Sequence, residues 1–383
     1  MDQHDRIARV IREYDAQGWH RAGTQVDHGS ALWLAEQLRQ RGLDPQLQPF
    51  DLDRVDPQPS YVEIVDRRVD GLPLFDSGFT DADGVSGALG PVSSGSAVGL
   101  AETGRGGQNE AALSARRSGE HRAIVAVTLG GRPGLAATNA LSFSAPYGPP
   151  VLQVSSDVGP WLREHAERGS NVHVVAAATR TRAQTHNVVA RLEGRRTDLR
   201  PVVVMTPRSG WWHCAGERGG GIAGWLEIAQ AIWEAVPARD VLFVATGAHE
   251  LGVAGIDALL GTEPSLAASA LAWVHLGASI GAAQEPAPRF SATDDDLERR
   301  MTTALERAGA DPVPAAPRGT TVGGESQAVV AAGGRCVVMA GGNALFHMES
   351  DRWPEAVDVA AVARYANAFT EVAVGLAMDE AAA

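Results

Sequence analysis

Cysteine is almost missing from this chain. Cys214 and Cys336 are the only two in 383 residues, and no CxxC pair exists, so neither a disulfide framework nor a thiolate zinc site is indicated. Basic runs are missing as well. With a formal net charge of −13 and no cluster of Lys and Arg, the chain lacks what phosphate recognition requires, and no nucleic-acid partner is expected. No apolar stretch approaches membrane-spanning length, so no membrane partner is expected either. The opening MDQHDRIARVIREYD is charged from its second residue and has no apolar core of a signal peptide, which reads as a cytoplasmic protein. Internal repeats are absent, and nothing in the sequence fixes an oligomeric state, so an oligomer stays open.

What is present is ordinary globular composition, 44% hydrophobic and 21% charged, long enough for a full core and a second module. Residues 5–15 and 30–41 carry apolar side chains at helical spacing, through Ile7, Val10, Ile11 and Tyr14 and then Ala31, Leu34, Ala35 and Leu38. From residue 61 to 183 the texture changes to glycine, serine and short runs such as AIVAVTL, PVLQVSS and NVHVVAAATR, which predict a small β-rich module. After residue 184 apolar strands alternate regularly with amphipathic helices: PVVVMT, GIAGWLEIAQAIWEAV, VLFVAT, ALAWVHL, RCVVMAG and a long helix from about Glu355. That alternation predicts an α/β fold with a mostly parallel sheet flanked by helices. The expected domains are 1–60 with 184–383, and 61–183 as an insertion.

Three motifs fail on context. Gly219, Gly221 and Gly224 satisfy G-x-G-x-x-G but begin thirteen residues after their strand, too far to bring a pyrophosphate to a helix N-terminus. GASIG places Ser279 where a nucleophile elbow would, yet Pro286 and Pro288 follow where its helix is required. The HE of GAHELG lacks the second histidine of a zincin helix, since Val253 stands there.

Strand ends are where open α/β sheets keep their chemistry, and four of them deliver candidate metal ligands: Glu217 in HCAGERGGG, Glu250 in GAHELG, His275 in AWVHLG and His347 in ALFHMES. Carboxylates with imidazoles suit zinc or another first-row divalent ion. Each taken alone reads more readily as a helix-capping carboxylate or a hydrogen-bonded core histidine than as a metal ligand.

The segments HRAGTQVDHGSALWLAEQLRQRGL, NVVARLEG before PVVVMT, GGGIAGWLEIAQAI, FVATGAHELGVAG and FHMESDRWPEAVDVAAVARYANAF fall in the order found in the co-catalytic zinc aminopeptidases. That family includes bacterial leucyl aminopeptidases and glutamate carboxypeptidases, with the glutaminyl cyclases as relatives, and the chain resembles it over nearly its whole length. PVLQVSSDVGPWLREHAERGSNVHVV resembles the end of the protease-associated domain that many members carry inserted. The resemblance implies that Glu217 stands for the family's bridging aspartate, Glu250 for the glutamate ligand and His347 for the late histidine ligand.

Departures are as informative. The family's first histidine ligand is here Pro207, which offers no donor. Its second aspartate is His275, and its general-base glutamate is His249. The expectation is therefore a hydrolase of C–N bonds in a small-molecule or short peptide-like substrate, with one divalent metal ion, zinc first, held by Glu217, Glu250 and His347. His275 or His213 would be the fourth ligand, and His249 would take the proton from the metal-bound water. Arg208, Trp211, Trp212, Arg318 and Tyr147 are candidate substrate contacts. Two alternatives stand beside this reading: metal-free hydrolase, lyase or cyclase chemistry by His249, Glu250 and Cys214, and a non-catalytic binding protein on a decayed site.

Overall fold

In a computed structural model that describes residues 1–104, 107–320 and 323–381, the chain forms two sheets, each with helices packed against it. Helix Gln3–Asp15 starts where the Asp2 side chain accepts from the backbone N–H of Asp5, and Thr24 caps Gln25–Arg39 in the same way, each meeting donors that a helix start leaves unpaired. The apolar stripe of the first helix, Ile7, Val10, Ile11 and Tyr14, is buried as its spacing predicts.

The seven-stranded sheet runs in the order Pro45–Pro57, Ala178–Leu192, Val241–Thr246, Val202–Pro207, Ala272–Leu276, Cys336–Ala340, Arg289–Ala292. Its four central strands are parallel, and their residues are almost all buried, as a sheet covered on both faces requires. The flanks are antiparallel: Pro45–Pro57 pairs with Ala178–Leu192 through thirteen positions, and Arg289–Ala292 runs against Cys336–Ala340. Helix Gly220–Ala235 and the closing helix Val359–Met378 pack on one another beside it. The closing helix begins later than its pattern predicts, because Asp358 supplies the cap by accepting from Ala361 N–H.

The strands of the second sheet all lie between Tyr61 and Val175, around a separate core of Val62, Leu89, Val98, Val125, Leu152 and Val172. The long strand Ala178–Leu192 then returns the chain to the first sheet, so residue 183 falls inside a strand and not at its end. Among the described residues, no helix is long and apolar enough to cross a membrane.

Candidate functional site

The four parallel strands end side by side, and Glu217, Glu250, His275 and His347 lie at these ends or in the loops that follow. At these tips the backbone is forced out of the common regions: Cys214, Ala248, Ser279 and His347 have φ of 55°, 52°, 62° and 62°. Left-handed backbone at a residue with a Cβ costs of order 1–3 kcal/mol and persists where its surroundings over-determine it, commonly at functional sites. Cys214 leads into a π-helical turn, Ala215–Gly219, that presents Glu217 and Arg218 inward. Asp351 holds this turn, accepting from the N–H groups of Gly216 at 2.7 Å and Glu217 at 2.9 Å. A Cβ on Gly216 would lie 2.7 Å from the same carboxylate, so glycine is required for the approach.

Arg218 organises one half of the site. Its side chain is wholly buried, and a single nitrogen, Nη2, lies 2.7 Å from Glu250 Oε1 and 2.8 Å from Glu217 Oε1. The first contact is an aligned hydrogen bond, whereas both Glu217 oxygens lack one. Ser209 ties the cluster together: its Oγ donates to Glu250 at 2.8 Å and accepts from the His249 N–H, and its carbonyl accepts from Arg218 Nε. Burial alone would raise the Glu217 carboxyl, but Arg218 and then His347 outweigh it and hold it low. Burial likewise works against the charge on Arg218, and Glu217 and Glu250 reverse this.

His347 completes this half. Its Nδ1 donates to the Ala137 carbonyl at 2.7 Å, which leaves Nε2 facing Glu217 Oε1 at 3.4 Å. The second sheet's segment reaches in here, with Ala137 N–H donating to the His347 carbonyl and Ala140 N–H to the Glu250 carbonyl.

The other half centres on Glu325, which periodicity did not single out. This fully buried carboxylate accepts from Thr246 Oγ1 at 2.5 Å and lies 3.4 Å from His249 Nδ1 and 3.5 Å from His275 Nε2. Burial pushes its carboxyl up, but the two imidazoles prevail and keep it well below the usual range. His249 and His275, with Asn139, Asn343 and Phe346, line a cavity of about 530 Å³. A larger groove of about 630 Å³, lined by Arg6, Arg9, Arg41 and Glu227 among others, contains no histidine or cysteine and none of these loop tips.

The structure thus brings Glu217, Glu250, His347, His249 and His275 to one end of the sheet. Other candidates are committed elsewhere. His213 turns away, with Nδ1 on the Asp15 carbonyl. Arg208 is buried, spending its guanidinium on Asp27 at 2.9 Å and on the His186 carbonyl. Trp211 packs on Phe75 and donates to Asn139, and Trp212 is buried and donates to the His347 carbonyl. Both serve as walls of the site and not as exposed pocket surface. Arg318 is exposed and paired with Asp295 and Glu298, and the Tyr147 ring lies under Arg116. Burial raises the Cys214 thiol well above its ordinary range, with Glu217 and Asp351 adding to it, which is the opposite of an activated nucleophile. Ser279 donates its N–H to the Glu217 carbonyl, and no helix follows it.

Does the ligand set fit a divalent ion? The orientation of His347 and the unpartnered Glu217 oxygens are what a metal would use. The point where the two carboxylates converge, however, holds the Arg218 guanidinium. A unit charge repels a divalent ion about 4 Å away by roughly 8 kcal/mol at an effective dielectric of 20. Among the described residues no three His, Cys, Asp or Glu side chains are grouped to hold a metal. The residues as arranged do not fit an ion between Glu217 and Glu250.

Two consequences are measurable by urea unfolding. Breaking the buried Arg208–Asp27 pair with Asp27→Ala leaves an uncompensated guanidinium, and a loss of about 3–5 kcal/mol is expected. Asp351 is pushed up to about 7 by burial and by Glu217, against the two N–H donors. A raised carboxyl favours the folded state when protonated, so this contribution is present below pH 4 and is lost as pH rises through 7. His20, whose imidazole burial lowers to about 3, gives the opposite slope below pH 6.5. The stability difference between the wild type and Asp351→Asn should therefore shift in favour of the variant from pH 4 to 7, and a pH-independent difference would contradict this.

No model of a protein family matches the sequence, and no curated protein matches it. Solved structures do. A zinc aminopeptidase from Bacillus subtilis is 18% identical with a TM-score of 0.80, the match covering 99% of this chain and 96% of that one. A peptidase M28 precursor from Shewanella amazonensis SB2B is 15% identical, TM-score 0.75, over 99% and 97%. An aminopeptidase from Aneurinibacillus sp. strain AM-1 is 15% identical, TM-score 0.74, over 99% and 95%. At such identities the likeness speaks for architecture, and by that measure the chain has the zinc-aminopeptidase-like fold.

Proposed function

We propose that the protein hydrolyses a C–N bond, amide or peptide-like, in a small substrate held in the 530 Å³ cavity, with His249 as general base. The observation that carries this reading is the His249–Glu325–His275 arrangement in the cavity wall. A base oriented by a buried carboxylate is the recurring plan for activating a nucleophile, and contacts of 3.4–3.5 Å are of the loose kind that tighten once substrate binds. With Nδ1 turned to Glu325, the other ring nitrogen of His249 takes a proton from water as it attacks the substrate carbonyl. The same proton then goes to the departing amine. His275, which has no hydrogen-bond partner for either ring nitrogen, donates to the carbonyl oxygen as charge develops on it. No step is assigned to a metal ion, because Arg218 holds the place between the two carboxylates. Two of the solved structures of like fold are aminopeptidases, which supports aminoacyl and short-peptide compounds as the first substrates to try. The segment that carries the second sheet, between Tyr61 and Val175, contributes Asn139 and Leu141 to the cavity wall.

A panel of aminoacyl anilides, dipeptides and small amides tests this. Turnover by the wild type that His249→Ala abolishes supports it. No turnover of any member, with ligand affinity unchanged by His249→Ala, would leave a binding protein as the reading.

A further inference from the structure

We propose that Arg218 is a built-in cation that replaces the ion of the fold, so that wild-type protein retains no zinc through Glu250, and that truncating this one side chain opens a zinc site made by Glu217, Glu250 and His347. The inference concerns occupancy and not turnover, and it stands or falls apart from the proposed hydrolysis.

Geometry carries it. Two buried carboxylate oxygens converge on one nitrogen, at 2.7 and 2.8 Å, as two ligands converge on an ion. Zinc would need them nearer, at about 2.0–2.2 Å, a small contraction for side chains on adjacent loops. The third donor is already aimed: His347 donates through Nδ1 to a backbone carbonyl, which fixes Nε2 as the free ring nitrogen, 3.4 Å from Glu217. Two ligands of a tetrahedral zinc stand about 3.3–3.5 Å apart, twice the bond length times the sine of half the tetrahedral angle. Arg218 is supported like a permanent part, because its Nε donates to the Ser209 carbonyl and Ser209 Oγ bonds Glu250. One guanidinium supplies one positive charge to two carboxylates, where a divalent ion would supply two. The remaining unpartnered Glu217 oxygens and Arg218 Nη1 are what such an incomplete replacement leaves behind.

The test is zinc content after dialysis against zinc chloride without chelator, together with calorimetric titration, on wild type, Arg218→Ala and Arg218→Ala/Glu250→Gln. Arg218→Ala should bind one zinc at least about 100-fold more tightly than wild type does, and adding Glu250→Gln should remove that gain. Millimolar guanidinium should compete with zinc in Arg218→Ala. Stoichiometric zinc in wild type that Glu250→Gln removes overturns the proposal, as does an Arg218→Ala protein that binds no more tightly than wild type. Should Arg218→Ala not fold, Arg218→Ser, which also leaves the space between the two carboxylates open, takes its place in the same measurements.

Discussion

His249→Ala is expected to lower kcat for amide hydrolysis by about 10²–10⁴-fold, the range a positioned general base contributes, with a stability loss that is chiefly electrostatic, since His249 is one of the two imidazoles that offset the burial of the Glu325 carboxylate. The side chain is partly exposed on the cavity wall and forms no aligned hydrogen bond to the protein, so little packing is lost with it. Glu325→Gln should reduce kcat over a similar range through the imidazole it orients, because an amide neither stabilises the imidazolium nor fixes the tautomer. The two losses should not add. In the double variant the base is already gone, and Glu325 acts through it. KM should move little in all three, since neither group is asked to hold the substrate in its ground state. If kcat falls equally in the single variants and again by the same factor in the double, Glu325 has a role of its own and the dyad is wrong. If His249→Ala is nearly silent while Glu250→Gln abolishes turnover, the chemistry lies in the other half of the site.

That division into halves could not be read from the sequence, although much of the framework could. Strand ends were legible because parallel strands buried on both faces read as unbroken apolar runs, PVVVMT, VLFVAT, ALAWVHL and RCVVMAG, and each run stops where a polar loop begins. Glu217, Glu250, His275 and His347 are located by those stops. Glu325 lies instead at the first turn of the short helix Glu325–Ala331, ahead of its strand, and reaches the site only because that helix packs over the sheet's end. A search confined to the loop after each strand passes it by. Arg218 was hidden by its neighbours: GERGGG draws attention to Glu217 and to its glycines, and only the fold shows that Asp351 holds this turn inward and that a guanidinium is buried there. Arg208, Trp211 and Trp212 stand in the right loop, yet pocket and wall residues look alike in sequence. Their direction depends on Asp27, Phe75 and the His347 carbonyl, which come from distant parts of the chain.

Arg218→Met should destabilise the protein by about 3–5 kcal/mol at pH 8, the usual result of removing one partner from a buried ionic cluster, and by clearly less at pH 5. Methionine fills much of the volume, so the loss is chiefly electrostatic. Without the guanidinium, Glu217 and Glu250 face each other in a site where burial already acts to raise the Glu217 carboxyl and only neighbouring positive charge holds it low. The folded-state pKa of Glu217 should then rise above its unfolded value. A carboxyl raised by folding favours the folded state below its unfolded pKa and costs stability as pH climbs through the folded value, so acid relieves the variant. Wild type has the opposite sign at this locus: Glu217 is held low, and its contribution is present above about pH 4.5 and lost on acidification. Urea midpoints of the two proteins at pH 5 and 8 should therefore converge toward acid. A deficit that stays constant across this range would mean that Arg218 acts by shape and not by charge. Zinc supplies a second check on Arg218→Ala, whose short side chain leaves the space between the carboxylates open: at 100 times its dissociation constant, an ion bound only by the folded state restores about 2.7 kcal/mol, and at pH 8 it should do so for Arg218→Ala while leaving wild type where it was.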